Sequence, residues 1–97
     1  MAVLPDEITR GILDDVWDER NVQYVKLEQK GLLDCADPTM PHSNKFLVLG
    51  EEVGEVANCI LEAGFGAMTQ EEFNDALAKE LVQVAAVAVA WAESLKR

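Results

Sequence analysis

The sequence contains few of the residues that build disulfides, zinc sites or basic surfaces. It has two cysteines, one histidine, and eight basic against eighteen acidic side chains, which gives a formal charge of -10. Cys35 and Cys59 form no CxxC pair, and only His42 is available to complete a zinc set, so neither a zinc site nor a redox motif is indicated. The scattered lysines and arginines argue against nucleic-acid binding.

An apolar run of membrane-spanning length is also missing. The first ten residues, MAVLPDEITR, lack the basic start and the apolar core of a signal peptide. We therefore expect a cytoplasmic protein without a membrane partner. The length of 97 residues fits a single domain over residues 1–97. Because a chain this short hides only about 60–65% of its extended surface, we expect an oligomer.

The acidic surplus narrows the class of substrate. A surface of this charge repels phosphorylated molecules unless divalent cations lie between the carboxylates and the phosphates. The composition is therefore compatible with metal-dependent phosphate chemistry. An acidic surface more often only keeps a small protein soluble, so charge alone does not select between the two interpretations.

Apolar residues recur at helical spacing in three segments, and no alternating strand pattern competes with them. The first helix is predicted to begin at Pro5, where acidic residues follow, and to stop before Gly31. The second is predicted to be capped by Ser43 and to end at Gly64 or Gly66. The segment between these helices, GLLDCADPTMPHS, is rich in turn formers and predicts a loop. The predicted buried faces are Ile8, Ile12, Val16, Tyr24 and Leu27 on the first helix, and Phe46, Leu49, Val53, Val56, Ala57 and Ile60 on the second.

The third helix has the clearest start. Thr69 and Glu72 form the T-x-x-E capping box, and helical periodicity follows as far as Trp91. Asn74 and Asp75 favour caps over helix interiors, so a break there would produce a fourth helix. The predicted fold is an all-α antiparallel bundle of three long helices, or four, completed by oligomerisation.

Two polar residues interrupt the apolar part of this last helix. From residue 81 to residue 92 every position except Gln83 is apolar, so this stretch must be central or lie at a subunit interface. Glu80 and Gln83 share the stripe of the apolar residues around them. A buried carboxylate costs several kcal/mol unless it is paired or holds a metal.

The second helix carries a cluster of carboxylates in the string GEEVGEV. Glu52 and Glu55 are three residues apart and lie on one face, and Glu51 adds a third carboxylate four residues before Glu55. Their repulsion turns into affinity when a hard cation lies between them. An E-x-x-E pair alone is a weak signal, but Glu80 on a second, antiparallel helix supplies the missing ligand for a magnesium site.

These residues resemble the signature of the MazG-like all-α nucleoside triphosphate pyrophosphohydrolases, which is E-x-x-E followed on a later helix by E-x-x-D. Here the strings are EVGE and ELVQ. Glu52, Glu55 and Glu80 match three metal ligands, whereas Gln83 stands where the family has aspartate and brings an amide oxygen without charge. The strings NKFLVLGEEVGEVANCILE and KELVQVAAVAVAWAESL are similar to a short phage or mobile-element branch.

The resemblance implies a helical bundle, as a homodimer or a dimer of dimers, that binds Mg²⁺ or Mn²⁺ and a nucleoside triphosphate. Glu51 would be a spare carboxylate that binds a second ion or accepts a proton from the attacking water. A solvated helix residue with no task is an equal alternative for Glu51. The resemblance also suggests that Gln23 and Lys26 on the first helix, and Lys45 at the start of the second, contact the substrate. By sequence alone, an ordinary surface cation is an equally good interpretation of Lys26 and of Lys45.

Two other classes of function remain open. One is a non-catalytic helical module that binds a nucleotide or a protein through the same acidic groove, and the uncharged Gln83 favours it. The other is a structural oligomer in which Glu80 pairs with a lysine. The second class explains the apolar helix but not the three clustered glutamates of GEEVGEV.

Overall fold

The computed structural model describes residues 6–30, 34–66 and 68–97, with the side chains of residues 27–30 excepted. Within these residues the secondary structure is entirely helical, which confirms the predicted fold class. The helices are α1, Glu7–Lys30, α2, His42–Phe65, and α3, Gln70–Ser94. The predicted start at Pro5, the predicted stop at Gly31 and the side chain of Leu27 lie outside the described residues.

Three helix ends in the described part of the chain are stabilised by hydrogen bonds between residues that are close in sequence. The Asp6 carboxylate accepts a hydrogen bond from the Thr9 amide at 3.1 Å and so caps α1. The predicted capping box of α3 is present, with Thr69 and Glu72 each accepting a backbone amide of the other at 3.1 Å. At the end of α2 the Gly66 amide donates to the Glu62 carbonyl at 3.0 Å.

Two predictions about helix ends are wrong. Ser43 does not cap α2, because the helix begins one residue earlier and Pro41 occupies the cap position without a side-chain hydrogen bond. The break near Asn74 and Asp75 is absent, and α3 is continuous. Asn74 accepts a hydrogen bond from the Gln70 side-chain amide at 2.8 Å, so it does not compete for the backbone.

Helix α3 lies between the other two helices. It packs against both α1 and α2, whereas no described Cα of α1 lies within 8 Å of a Cα of α2. Helix α2 runs antiparallel to α3, because the side chain of Lys45 near its start contacts Ser94 at the end of α3. Between α1 and α2, one side of α3 is left open as a groove.

The core is small and centred on the second half of α3. Cys35 and Ala36, from the loop before α2, pack with Val87 and Ala90, and Met40, Val48 and Leu49 cover this cluster. The predicted face of α1 is only partly buried: Val16 is 7% exposed, but Ile8 is 73% and Ile12 is 52% exposed. On α2, Phe46, Val53, Ala57 and Ile60 are exposed rather than buried.

The surface of the single chain is large for its mass. The accessible area is 7325 Å² for 10.7 kDa, whereas a compact monomer of this mass exposes about 5500 Å². Exposed apolar side chains on α1 and α2, among them Ile8, Trp17 and Phe46, contribute to this large surface. None of the described helices has the length and hydropathy required to cross a lipid bilayer.

Candidate functional site

Glu52 and Glu80 interrupt the apolar contact between α2 and α3. Both side chains are half-buried, and each lies on the stripe through which its helix packs. Burial is the main cause that raises the pKa of Glu52, and Glu80 is the neighbouring carboxylate that raises it most. The two glutamates that the sequence places on separate helices are therefore neighbours across the interface.

Two more residues of α2 extend this cluster toward solvent. Glu55 lies one turn after Glu52, and Glu51 precedes Glu52 on the outer flank of the helix. Both are exposed, and both add to the repulsion that raises the pKa of Glu52. The carboxylates of GEEVGEV thus lie on one flank of α2, near Glu80 of α3.

The first helix contributes a carboxylate that the sequence analysis missed. Glu19 of α1 is half-buried and is also among the groups that raise the pKa of Glu52. It lies opposite α2 across the groove. No periodicity argument identifies Glu19, because its position depends on the angle at which α1 crosses α3.

Gln83 lies where this groove meets a cleft between α1 and α3. The cleft has a volume of about 370 Å³. Its wall on α1 contains Asp15 and Glu19 together with Ile12. Its wall on α3 contains Asp75, Lys79 and Gln83 among apolar residues. The half-buried Gln83 side chain is therefore beside both the cleft and the carboxylates.

The glutamates are close enough to repel one another but do not form a closed coordination site. In the described part of the chain, no group of three or more histidine, cysteine or acidic side chains is arranged to hold an ion. The donors themselves fit Mg²⁺, because Glu52, Glu55, Glu80 and Gln83 offer only hard oxygen ligands. Glu55 is exposed, so its side chain has room to turn toward the other two carboxylates.

The three residues suggested as substrate contacts lie apart from this cluster. The Gln23 carbonyl oxygen accepts a hydrogen bond from Arg20, and Lys26 is exposed farther along α1. Lys45 is fully buried, and its ammonium donates to the Ser94 hydroxyl at 2.7 Å. Ser94 is fourteen residues from Glu80 on α3, or about 21 Å along the helix. A phosphate contact by Lys45 would require it to leave Ser94.

Lys45 and Ser94 do not form a nucleophile and base pair. The Ser94 hydroxyl accepts from Lys45 and donates its own proton to the Trp91 carbonyl at 2.6 Å. Its proton therefore points away from the lysine, and both side chains are buried. The pair closes the end of the α2–α3 interface, where the Trp91 indole also donates to His42 at 2.9 Å.

A buried arginine joins α1 to the end of α3. Arg20 is 4% exposed and forms two hydrogen bonds of 3.0 Å with the Glu93 carboxylate and one of 3.0 Å with Asp34. Burial alone would lower the pKa of Arg20, but these bonds outweigh it and raise the pKa. The sequence contains a signal for this residue, because Arg20 fills the gap between Val16 and Tyr24 in the apolar stripe of α1.

Comparison of the chain with protein-family models, with characterised proteins and with solved structures finds no match. The resemblance to the MazG-like pyrophosphohydrolases therefore rests on the residues of the two motifs and stays a prediction.

Proposed function

We propose that the chain is a magnesium-dependent nucleoside triphosphate pyrophosphohydrolase of the MazG-like type. The observation that carries the proposal is the meeting of Glu52 and Glu80 across the α2–α3 interface, with the exposed Glu55 beside them. A protein that used these helices only for packing would gain by replacing mutually repelling carboxylates with apolar side chains. A divalent cation supplies the compensation that no described lysine or arginine provides at this cluster.

In the proposal, Glu52, Glu55 and Glu80 hold the cation, and the Gln83 carbonyl oxygen fills or orients the fourth protein position. Mn²⁺ would serve in place of Mg²⁺, because both prefer oxygen ligands. A site with three carboxylates and one amide carries less negative charge than the family pattern. We infer that this site binds the ion more weakly than a site with four carboxylates would, and that the positions of the four ligands are otherwise the same.

The residues of this chain also supply a base. Glu51 is exposed on the flank that carries Glu55, so it is open to solvent beside the proposed ion. It would accept a proton from a water molecule while the water oxygen bonds to the α-phosphorus. The bond from the α-phosphorus to the bridging oxygen breaks, and pyrophosphate leaves with the electron pair. A bound divalent cation offsets the charge on the phosphates and on the leaving group.

The cleft between α1 and α3 is the proposed site for the nucleoside. Its volume of about 370 Å³ falls in the range of small-molecule pockets. Ile12 and Val82 give it an apolar lining, and Gln83 lies between it and the carboxylates. A nucleoside bound there would extend its phosphates toward Glu52 and Glu80. The homodimer or dimer of dimers implied by the resemblance is part of the same proposal.

The second candidate function is a non-catalytic module that binds a nucleotide or a protein in the same groove. Gln83 supports it, because an amide in place of the aspartate lowers the charge available to hold a metal. Both functions require the groove, but only the hydrolase requires the pair of Glu51 and a bound ion.

A pyrophosphate-release screen over many nucleoside triphosphates, with and without Mg²⁺, tests the proposal. We expect release only with the ion, and at least a hundredfold loss in Glu55→Gln. Glu62→Gln is the matched control, because Glu62 is an exposed carboxylate two turns farther along α2. In water enriched in ¹⁸O, the label should enter the nucleoside monophosphate. Label in pyrophosphate or in inorganic phosphate would place the attack on another phosphorus and contradict the proposed step. No turnover of any substrate would favour the binding module.

A further inference from the structure

The exposed flank of α2 has a regular pattern of large and small residues. Within the chain, Phe46 at its start packs edge-on against Trp91, with the ring centroids 6.5 Å apart. Starting at residue 46 and moving by steps of four and three, the side chains are Phe46, Gly50, Val53, Ala57, Ile60 and Gly64. Such steps trace one straight seam along a helix. All six residues are exposed, and none is charged. We call these six residues the α2 seam.

The α2 seam lies away from the acidic groove. Helix α2 packs on α3 through Val48, Leu49 and Val56, and the seam is about a third of a turn to one side of that stripe. Glu51 and Glu55 lie to the other side. A partner that covers the seam therefore leaves the proposed metal site open to solvent.

Helix α3 continues this apolar surface. Because α2 and α3 are antiparallel, residues displaced in the same rotational sense from their contact stripes lie on the same side of the pair. Leu81, Ala88 and Ala92 are displaced in that sense, and all three are exposed. The two helices thus form one apolar face, in which Phe46 is 63%, Val53 is 52% and Ile60 is 52% exposed.

The glycines of the seam have no role within one chain. Apart from proline, glycine is the least favourable residue in a helix interior. A Cβ atom placed at Gly50 or at Gly64 would meet nothing within 4 Å. The single chain therefore gives no packing reason for glycine at either position, and the same is true of Gly54 outside the seam. The close approach of a second helix would account for the two glycines of the seam.

The order of the seam residues is self-complementary. Its three large residues are Phe46, Val53 and Ile60, and its three small ones are Gly50, Ala57 and Gly64. They are placed symmetrically nine, five and two residues on either side of position 55. An antiparallel copy of α2, related by a two-fold axis beside position 55, would set every large residue against a small one. Phe46 would face the partner's Gly64, Ile60 the partner's Gly50, and Val53 the partner's Ala57.

We propose that the α2 seam is the interface of a two-fold symmetric homodimer in which α2 packs antiparallel against α2 of a second copy. A stable interface needs about 800 Å² from each partner, so the interface would include the exposed residues of α3 beside the seam, Leu81, Ala88 and Ala92. A partner of a different sequence would not require the symmetric order of large and small residues. A homodimer is also among the assemblies that the resemblance implies, but the choice of the α2 seam rests on the order of its own residues and not on the proposed reaction.

The first test measures the mass of the protein in solution by sedimentation velocity. The wild type should be a dimer, or an even multiple of it, of the 10.7 kDa chain. Val53→Arg should give a folded monomer, because the charge is buried twice at the two-fold axis. Leu47→Arg is the control, since Leu47 is an equally exposed apolar residue next to the seam on the same helix. A helical wild-type monomer, or equal behaviour of the two variants, would overturn the proposal.

The second test asks whether Phe46 faces Gly64 of the second copy, and it introduces no charged residue. Gly64→Phe places two large residues opposite each other at two symmetric positions, so we expect the dimer dissociation constant to rise about a hundredfold. The double variant Phe46→Gly/Gly64→Phe exchanges the two members of the pair and should recover most of the lost affinity. Circular dichroism verifies that both variants remain helical. A double variant that dimerises no better than Gly64→Phe would contradict the two-fold arrangement.

Discussion

Removing the charge of Glu52 should make the metal-free protein more stable. The pKa of Glu52 in the folded chain is raised above the ordinary value of 4.5, first by burial and then by Glu80 and Glu55. The folded chain thus holds the Glu52 proton more tightly than the unfolded chain. The stability that this group contributes is therefore fully present below pH 4.5 and is lost as pH rises through the raised folded pKa. Glu52→Gln removes the repulsion and the pH dependence together.

The expected gain is small but measurable. Each like-charged neighbour on or beside a helix costs about 0.2–0.5 kcal/mol, and solvent screens part of this because Glu52 is not fully buried. Glu52→Gln should then raise the free energy of unfolding by about 0.5–1 kcal/mol at pH 7, and Tm by about 4 °C. Thermal melts in a chelator at pH 7 and pH 4 measure the effect, which should vanish at pH 4. Glu62→Gln is the control. A lower Tm for Glu52→Gln at pH 7 would refute the reasoning.

Three further predictions follow from the contacts of single residues. Arg20→Met removes the arginine that pairs with Asp34 and leaves Glu93 with only Tyr24 and Arg97 as partners, so urea unfolding should show a loss of about 3 kcal/mol. Ser94→Ala removes the hydrogen-bond acceptor of a buried ammonium and should cost about 1–3 kcal/mol, whereas Lys45→Met removes the ammonium itself and should be nearly neutral. Gln83→Asp adds a charged ligand and should tighten Mn²⁺ binding at least tenfold in calorimetry, with a modest change in turnover; unchanged affinity would place Gln83 outside the site.

The sequence predicts the helices well where the chemistry is local. The capping box at Thr69 and the end of α2 at Gly66 depend on residues within one turn, and both are confirmed. Ser43 failed as a cap because Pro41 already fits the extended cap conformation and needs no amide partner. Burial was harder to predict, since Phe46 and Ile60 are as apolar as core residues but lie on a flank that this chain does not cover.

The candidate site was predictable in one part only. Glu80 on an apolar stripe and the E-x-x-E spacing of Glu52 and Glu55 were sufficient to place these carboxylates near one another. Glu19 was missed because helical periodicity says nothing about the angle at which α1 crosses α3. Lys45 is predicted from the sequence as a phosphate contact or a surface cation, because a lone lysine at a helix start gives no sign of the buried serine that it contacts.

The most direct test of the account is whether Glu52 and Glu80 hold the same ion. Mn²⁺ affinity, measured by electron paramagnetic resonance for the wild type, Glu52→Gln, Glu80→Gln and the double variant, gives their coupling. If both carboxylates ligate one ion, each single variant should lose at least tenfold in affinity and the double variant little more than either. Independent losses that add in the double variant, or affinities unchanged from the wild type, would contradict a shared site between α2 and α3.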